Sequence, residues 1–143
     1  MAISRKKQEA ISKFIEAENA VANYRGVTYY RFSWKPYVNM TIKQLSNCAD
    51  SCMKLLEQEL PAASEKQINF LNILLAKDYN HTVRDRYEAA IAEGKHINKW
   101  QAIELIGTLK TNDDYIYGSY PNISQGDFAE LEERMDSIIS MMK

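Results

Sequence analysis

Glycine and proline are scarce in this chain, five and three among 143 residues. None of the glycines falls in a G-x-x-x-x-G-K or G-x-G-x-x-G pattern, which excludes the phosphate cradles those loops build. The only imidazoles are His81 and His96, and neither belongs to an H-E-x-x-H or accompanies a nucleophile elbow. The only cysteines, Cys48 and Cys52, stand four apart inside an apolar helical stripe. That spacing holds their Cβ atoms too far apart for an easy disulfide, and it lacks the close C-x-x-C pairing of structural zinc sites. They read as buried free thiols, with no metal and no cofactor. No apolar run approaches the roughly 20 residues of a membrane span. The N-terminal MAISRKKQEAISKF carries charge without the apolar core of a signal peptide, so the expectation is a cytoplasmic protein that does not engage membranes. Asp113 with Asp114, and Glu57 with Glu59, are close in sequence, whereas metal-dependent nucleases draw their acids from separate elements. The reading is a protein that is not an enzyme and has no catalytic residue.

Acid is also missing from one long tract. Between Asn19 and Ala49 there is no Asp or Glu, while Arg25, Arg31, Lys35 and Lys43 fall inside. The net charge is only −1, yet residues 1–43 hold eight Lys/Arg against three acids, and residues 111–143 hold two against seven. The balance excludes a general attraction to polyanions and leaves a basic N-terminal part and an acidic C-terminal part. With 45% hydrophobic residues, a chain of this length suits a single domain over residues 1–143, burying roughly 70% of its unfolded surface.

Helix starts are well marked. Thr41-Ile-Lys-Gln44, Ser64-Glu-Lys-Gln67 and Asn98-Lys-Trp-Gln101 each place a capping side chain three residues before a Gln, and Ser124-Gln-Gly-Asp127 is an acidic version. Flanking apolar pairs, Met40 with Leu45, Ala63 with Ile68, Ile97 with Ala102 and Ile123 with Phe128, sit where a hydrophobic staple places them. Stripes at helical period follow each start: Leu45 to Leu56, Ile68 to Leu75, Ala102 to Leu109, and Phe128 to Met142. Ser4 opens a further helix carrying Ile11, Phe14, Ile15 and Val21 and ending before Gly26, and a shorter one runs from His81 to Gly94. The fold expected is mostly α, a compact bundle of about six helices. Two segments depart from helical period, VTYYRFSW and DDYIYGSYP. Tyr30, Phe32 and Trp34 alternate at strand period, which raises the expectation of a small two-stranded ribbon between residues 27–34 and 115–120.

Residues 63–110, ASEKQINFLNILLAKDYN…GKHINKWQAIELIGTLK, resemble a short helical module of uncharacterised phage and mobile-element proteins. That module has a Thr/Ser-x-Lys-Gln start, an apolar helix, and a second helix reading Ala-Ser-x-Leu-Ile-x-x-Leu. The matching positions are Ser64, Lys66, Gln67, Phe70, Leu71 and Leu74, then Ala102, Leu105, Ile106 and Leu109. Ile103 stands where the module has Ser, and the connection carries an extra helical stretch. The resemblance covers about a third of the chain. It implies a phage or mobile-element origin, hence a bacterial host cytoplasm, and the company of proteins that handle DNA. It carries over no functional residue.

The tract YRGVTYYRFSWKPY, residues 24–37, holds six aromatics and three basic residues. Aromatic faces under bases with Lys/Arg on phosphates are what single-stranded nucleic acid requires. The same rings also serve a core, with Tyr30, Phe32 and Trp34 turned inward and Tyr29, Arg31 and Tyr37 left exposed. Arg25, Lys35 and Lys43 complete this candidate binding set. Tyr, Trp and Arg equally suit a protein interface. The acidic end, with Asp113, Asp114, Glu130 and Glu133 as candidates, could meet a basic groove by imitating phosphate charge, or be the solvated face of an amphipathic helix. Met135, Met141 and Met142 could extend an apolar strip into a homodimer contact.

Three functions follow as expectations. The first is stoichiometric binding to a protein of a nucleic-acid-handling complex, including inhibition of a host defence nuclease such as a CRISPR effector. The second is direct binding of single-stranded DNA or RNA through residues 24–43. The third is a structural homo-oligomer.

Overall fold

The computed structural model describes residues 3–27, 35–118 and 123–143. Among them the chain is mostly helical, as its periodicity requires. The helices are α1 (Arg5–Arg25), α2 (Lys35–Val38), α3 (Ile42–Leu55), α4 (Glu65–Leu75), α5 (His81–Ala92), α6 (Lys99–Tyr117) and α7 (Gln125–Ser140), with a 3₁₀ turn at Asp78–Asn80. The chain groups into two compact units, Met1–Arg25 with Tyr29–Glu59, and Gly26–Thr28 with Leu60–Lys143.

All four expected caps form complete boxes. The Thr41, Ser64, Asn98 and Ser124 side chains accept from the amides of Gln44, Gln67, Gln101 and Asp127, whose side chains reach back to the cap amides. Each satisfies two amides that the helix cannot pair for itself, and each cap is worth about 1 kcal/mol. α3 ends at Leu55. The amides of Leu56, Glu57 and Gln58 bond to the carbonyls of Met53, Lys54 and Leu55, three residues back, so the chain tightens out of the helix ahead of Pro61. Gly94, at φ 85°, ends α5 in the left-handed conformation that glycine adopts without a Cβ penalty.

In the first unit α1 packs along α3. They run in the same direction, since the Lys7 ammonium meets the Val38 carbonyl ahead of α3 and the Tyr24 hydroxyl meets the Gln58 carbonyl beyond it. Ile11, Tyr37 and Leu45 form the centre of this unit, with Phe14, Ile15 and Met40 packed around them.

In the second unit α4 and α6 also run in the same direction. An isolated bridge pairs Ala62 with Asn98 just before both helices, and Lys77 meets Asp113 near the far ends. α7 returns along α6, where Tyr115 and Phe128 meet edge to face at 6.0 Å, and it also packs on α5. Leu71, Leu74, Leu75, Leu105, Leu109, Leu131, Met135 and Ile138 belong to this core. Met135 and Met142 are buried there, and Met141 is half-buried.

The expected ribbon is corrected at its second strand. Tyr115–Tyr117 continue α6, because Asn112, Asp113 and Tyr115 each find partners from the helical conformation: Asn80, Lys77 and Phe128 respectively. Residues 28–34, which hold the aromatic alternation, and residues 119–120 lie outside the described residues.

Candidate functional site

A polar cluster of the second unit lies where the end of α4 and the 3₁₀ turn face α6. The Asp113 side chain is only 15% exposed, and it accepts from both the Lys77 ammonium and the Tyr79 hydroxyl. The hydrogen bond to Asp113 raises the Lys77 pKa. Burial, and then the same carboxylate, raise that of Tyr79. Asn80 and Asn112 are buried beside this cluster. Asn112 Nδ2 donates to Asn80 Oδ1 at 3.0 Å, and Asn80 Nδ2 donates to the Leu74 carbonyl at 2.9 Å. Buried amides are tolerated only when paired in this way.

A cleft of about 260 Å³ opens next to these groups, lined by Tyr79, Asn80, Thr82, Val83, Asn112, Ile116, Phe128, Glu132 and Met135. Small-molecule sites usually offer roughly 300–1,000 Å³, so this one suits an inserted side chain or ordered water better than a cofactor. Glu132 is exposed at its edge.

The tract 24–43 is only partly described. Tyr29 and Arg31 lie outside the described residues, as does the Lys35 side chain. Tyr37, expected at the surface, is corrected: it is 1% exposed. Its ring meets Phe14 edge to face at 5.5 Å and its hydroxyl donates to Glu18 Oε1 at 2.6 Å. A phenol whose ring and hydroxyl both find partners is held inside the first unit. Arg25, the last residue of α1, is half-buried, and Lys43 is exposed in the first turn of α3.

The acidic residues of the C-terminal part, the four candidates among them, separate into two groups. Asp113 is spent on Lys77 and Tyr79, Glu130 pairs with Arg134 at 3.1 Å, Asp136 pairs with Arg86, and Asp127 closes the cap of α7. Asp114, Glu132 and Glu133 are exposed and make no ion pair with the described residues.

Cys48 and Cys52 are free thiols, half-buried on α3 where full burial was expected. Burial, then Glu18 and Cys48, raise the pKa of Cys52, which keeps it protonated and poorly nucleophilic. Among the described residues no three of His, Cys, Asp and Glu converge as metal ligands would, and no helix is long and apolar enough to cross a membrane.

The periodic pattern had marked Leu105 and Leu109, but not Asn112, which continues the same stripe as a polar residue at a core position. That interruption, together with Asn80 just before a helix, was the available signal for the cluster. Lys77 and Tyr79 had none, because their shared partner, Asp113, comes from another element. No protein-family model, no curated protein and no solved structure matches the chain.

Proposed function

We propose that the protein works by stoichiometric binding, without catalysis, to a protein of a nucleic-acid-processing complex, as an accessory protein of a phage or mobile element. Inhibition of a host defence nuclease, such as a CRISPR effector, is the form this reading takes. The observation that carries it is the outward face of α7, where Glu132 and Glu133 are exposed without ion-pair partners among the described residues and Glu132 edges the cleft of about 260 Å³. Proteins that handle nucleic acid present basic grooves, and an acidic helix face meets such a groove with complementary potential. The adjacent cleft has room for one Lys or Arg side chain of that groove, with Glu132 at its mouth.

The test is an affinity pull-down from bacterial lysate with the wild type and with Glu132→Lys/Glu133→Lys. The wild type retains a nuclease, polymerase or recombinase, and the double variant loses it. Recovery of no such protein counts against the reading. Salt-sensitive binding of labelled single-stranded oligonucleotides by the purified protein would replace it with direct nucleic-acid binding through residues 24–43.

A further inference from the structure

The buried amide hydrogen bonds of the second unit run in one direction, and they end at the cleft. The Leu74 carbonyl can only accept, so Asn80 turns Nδ2 toward it at 2.9 Å and keeps Oδ1 for Asn112. Asn112 must then donate through Nδ2, at 3.0 Å, which leaves its own Oδ1 as an acceptor. Asn112 is 8% exposed and lines the cleft. Its Oδ1 accepts no hydrogen bond from the described residues and is not sealed from solvent. A donor therefore reaches this oxygen from the cleft, and a nearly buried acceptor of this kind calls for one.

The charge of the cleft has one sign. Glu132 is the only charged residue that lines it, and its carboxylate is exposed and makes no ion pair with the described residues. The Lys77 ammonium of the adjoining cluster is already held by Asp113. An anion is repelled from such a place and a cation is drawn in.

The rest of the wall selects among cations. It includes the Tyr79 and Phe128 rings and the side chains of Val83, Ile116 and Met135. A lysine ammonium is compact and strongly hydrated, and it would shed water against these groups. A guanidinium is weakly hydrated, stacks on aromatic rings and spreads its donors in one plane. Two of those donors serve a carboxylate, and others remain for an amide oxygen.

We propose that the cleft is a recognition site for an arginine side chain of the bound protein. Its guanidinium pairs with the Glu132 carboxylate, donates to Asn112 Oδ1 and lies against the Tyr79 and Phe128 rings. The volume of about 260 Å³ falls below the roughly 300–1,000 Å³ of small-molecule sites, which suits a side chain presented from a partner's surface better than a whole small molecule. The inference rests on the reading of the α7 face as a protein-binding surface, and it selects arginine over lysine as the inserted residue.

Amide NMR of the isotopically labelled full chain tests it, with blocked amino acids as probes and the Asn112 side-chain signal and the Thr82 and Val83 backbone signals as readout. N-acetyl-arginine amide shifts these signals saturably, with a Kd of about 1–10 mM. N-acetyl-lysine amide binds about fivefold more weakly or worse, and the citrulline counterpart, which lacks the charge, about tenfold. Glu132→Gln weakens arginine binding by about fivefold or more. Ile116→Trp, a change at a 40% exposed position that fills the cleft, abolishes it. If Ile116→Trp does not fold, Glu132→Gln alone decides. No saturable shift up to about 50 mM overturns the proposal. So does equal affinity for lysine, a shift pattern away from the cleft, or a Glu132→Gln variant that binds as the wild type does.

This site and the partner proposed above fail separately. A chain that ignores arginine yet retains a nucleic-acid-processing protein from lysate overturns the arginine site alone. A chain that binds arginine yet retains no such protein supports the site and overturns the partner class.

Discussion

Asn112 donates through Nδ2 to Oδ1 of Asn80 at 3.0 Å, and Asn80 passes the bond on to the Leu74 carbonyl at 2.9 Å. Two neutral amides thus tie the 3₁₀ turn to α6 and to the end of α4 inside the second unit. Removing Asn80 strands the Asn112 amide and leaves the Leu74 carbonyl only its long 3.4 Å bond from the Lys77 amide, whereas removing Asn112 strands only the Asn80 oxygen. With each stranded buried group costing about 1–3 kcal/mol, Asn80→Ala is expected to destabilise more than Asn112→Ala. The double variant should cost less than the sum, because the shared bond is lost only once. Urea unfolding of the three variants measures this. Equal single costs that add would show that the pair does not act as a unit.

Alkaline pH should weaken the neighbouring cluster. The folded-state pKa of Lys77 is raised by its bond to Asp113, and that of Tyr79 by burial and the same carboxylate. For both groups the folded state holds the proton more tightly than the unfolded chain, so their contribution is full below the unfolded pKa values, about 10–10.4, and lost as pH rises through the folded ones. Stability is expected to decline above about pH 10. In Lys77→Met/Tyr79→Phe the decline should be shallower. A wild-type profile identical to that of the double variant would remove both groups from the account.

Acid acts on a different place. The Asp127 carboxyl is held below its ordinary value by the Ser124 amide and then by the Ser124 hydroxyl. Its contribution is therefore present above the unfolded pKa of about 3.9 and lost as pH falls through the lower folded value. The start of α7 should loosen first in acid, read as faster amide exchange over Gln125–Phe128 at pH 3 than at pH 6 after correction for intrinsic rates. Asp127→Asn should abolish that difference. Protection that is equal at both pH values would mean that the cap does not depend on the charge.

The boundaries set by local chemistry were legible in the sequence, and those set by partners were not. Thr41, Ser64, Asn98 and Ser124 mark their helices because each box closes within four residues. The stripes of α4, α6 and α7 follow from helical period alone. Tyr115–Tyr117 read as strand because the segment DDYIYGSYP departs from helical period, and the helix is decided instead by Asn80, Lys77 and Phe128, all distant in sequence. Tyr37 read as exposed for the same reason, since Phe14 and Glu18, which enclose it, stand on α1. Of the candidate surface, the acidic end was legible as composition. Which acids stay free was decided by Lys77, Arg86 and Arg134, and no spacing could assign those partners.

Two glycines of the second unit, both with open space where a Cβ would stand, should respond oppositely to alanine. Gly94 has φ 85°, and the substitution forces a side chain into the left-handed region, at a cost of about 1–2 kcal/mol. Gly107 is helical, and alanine there removes the entropic penalty of glycine without any clash, which should stabilise by about 0.4–1 kcal/mol. Thermal unfolding of each variant should therefore shift in opposite directions from the wild type. The comparison belongs at protein concentrations low enough that the midpoint no longer depends on concentration, because there the helix propensity of a single chain is read without any contribution from a second copy. A Gly107→Ala variant that melts below the wild type under those conditions would mean that the position is strained within the chain itself.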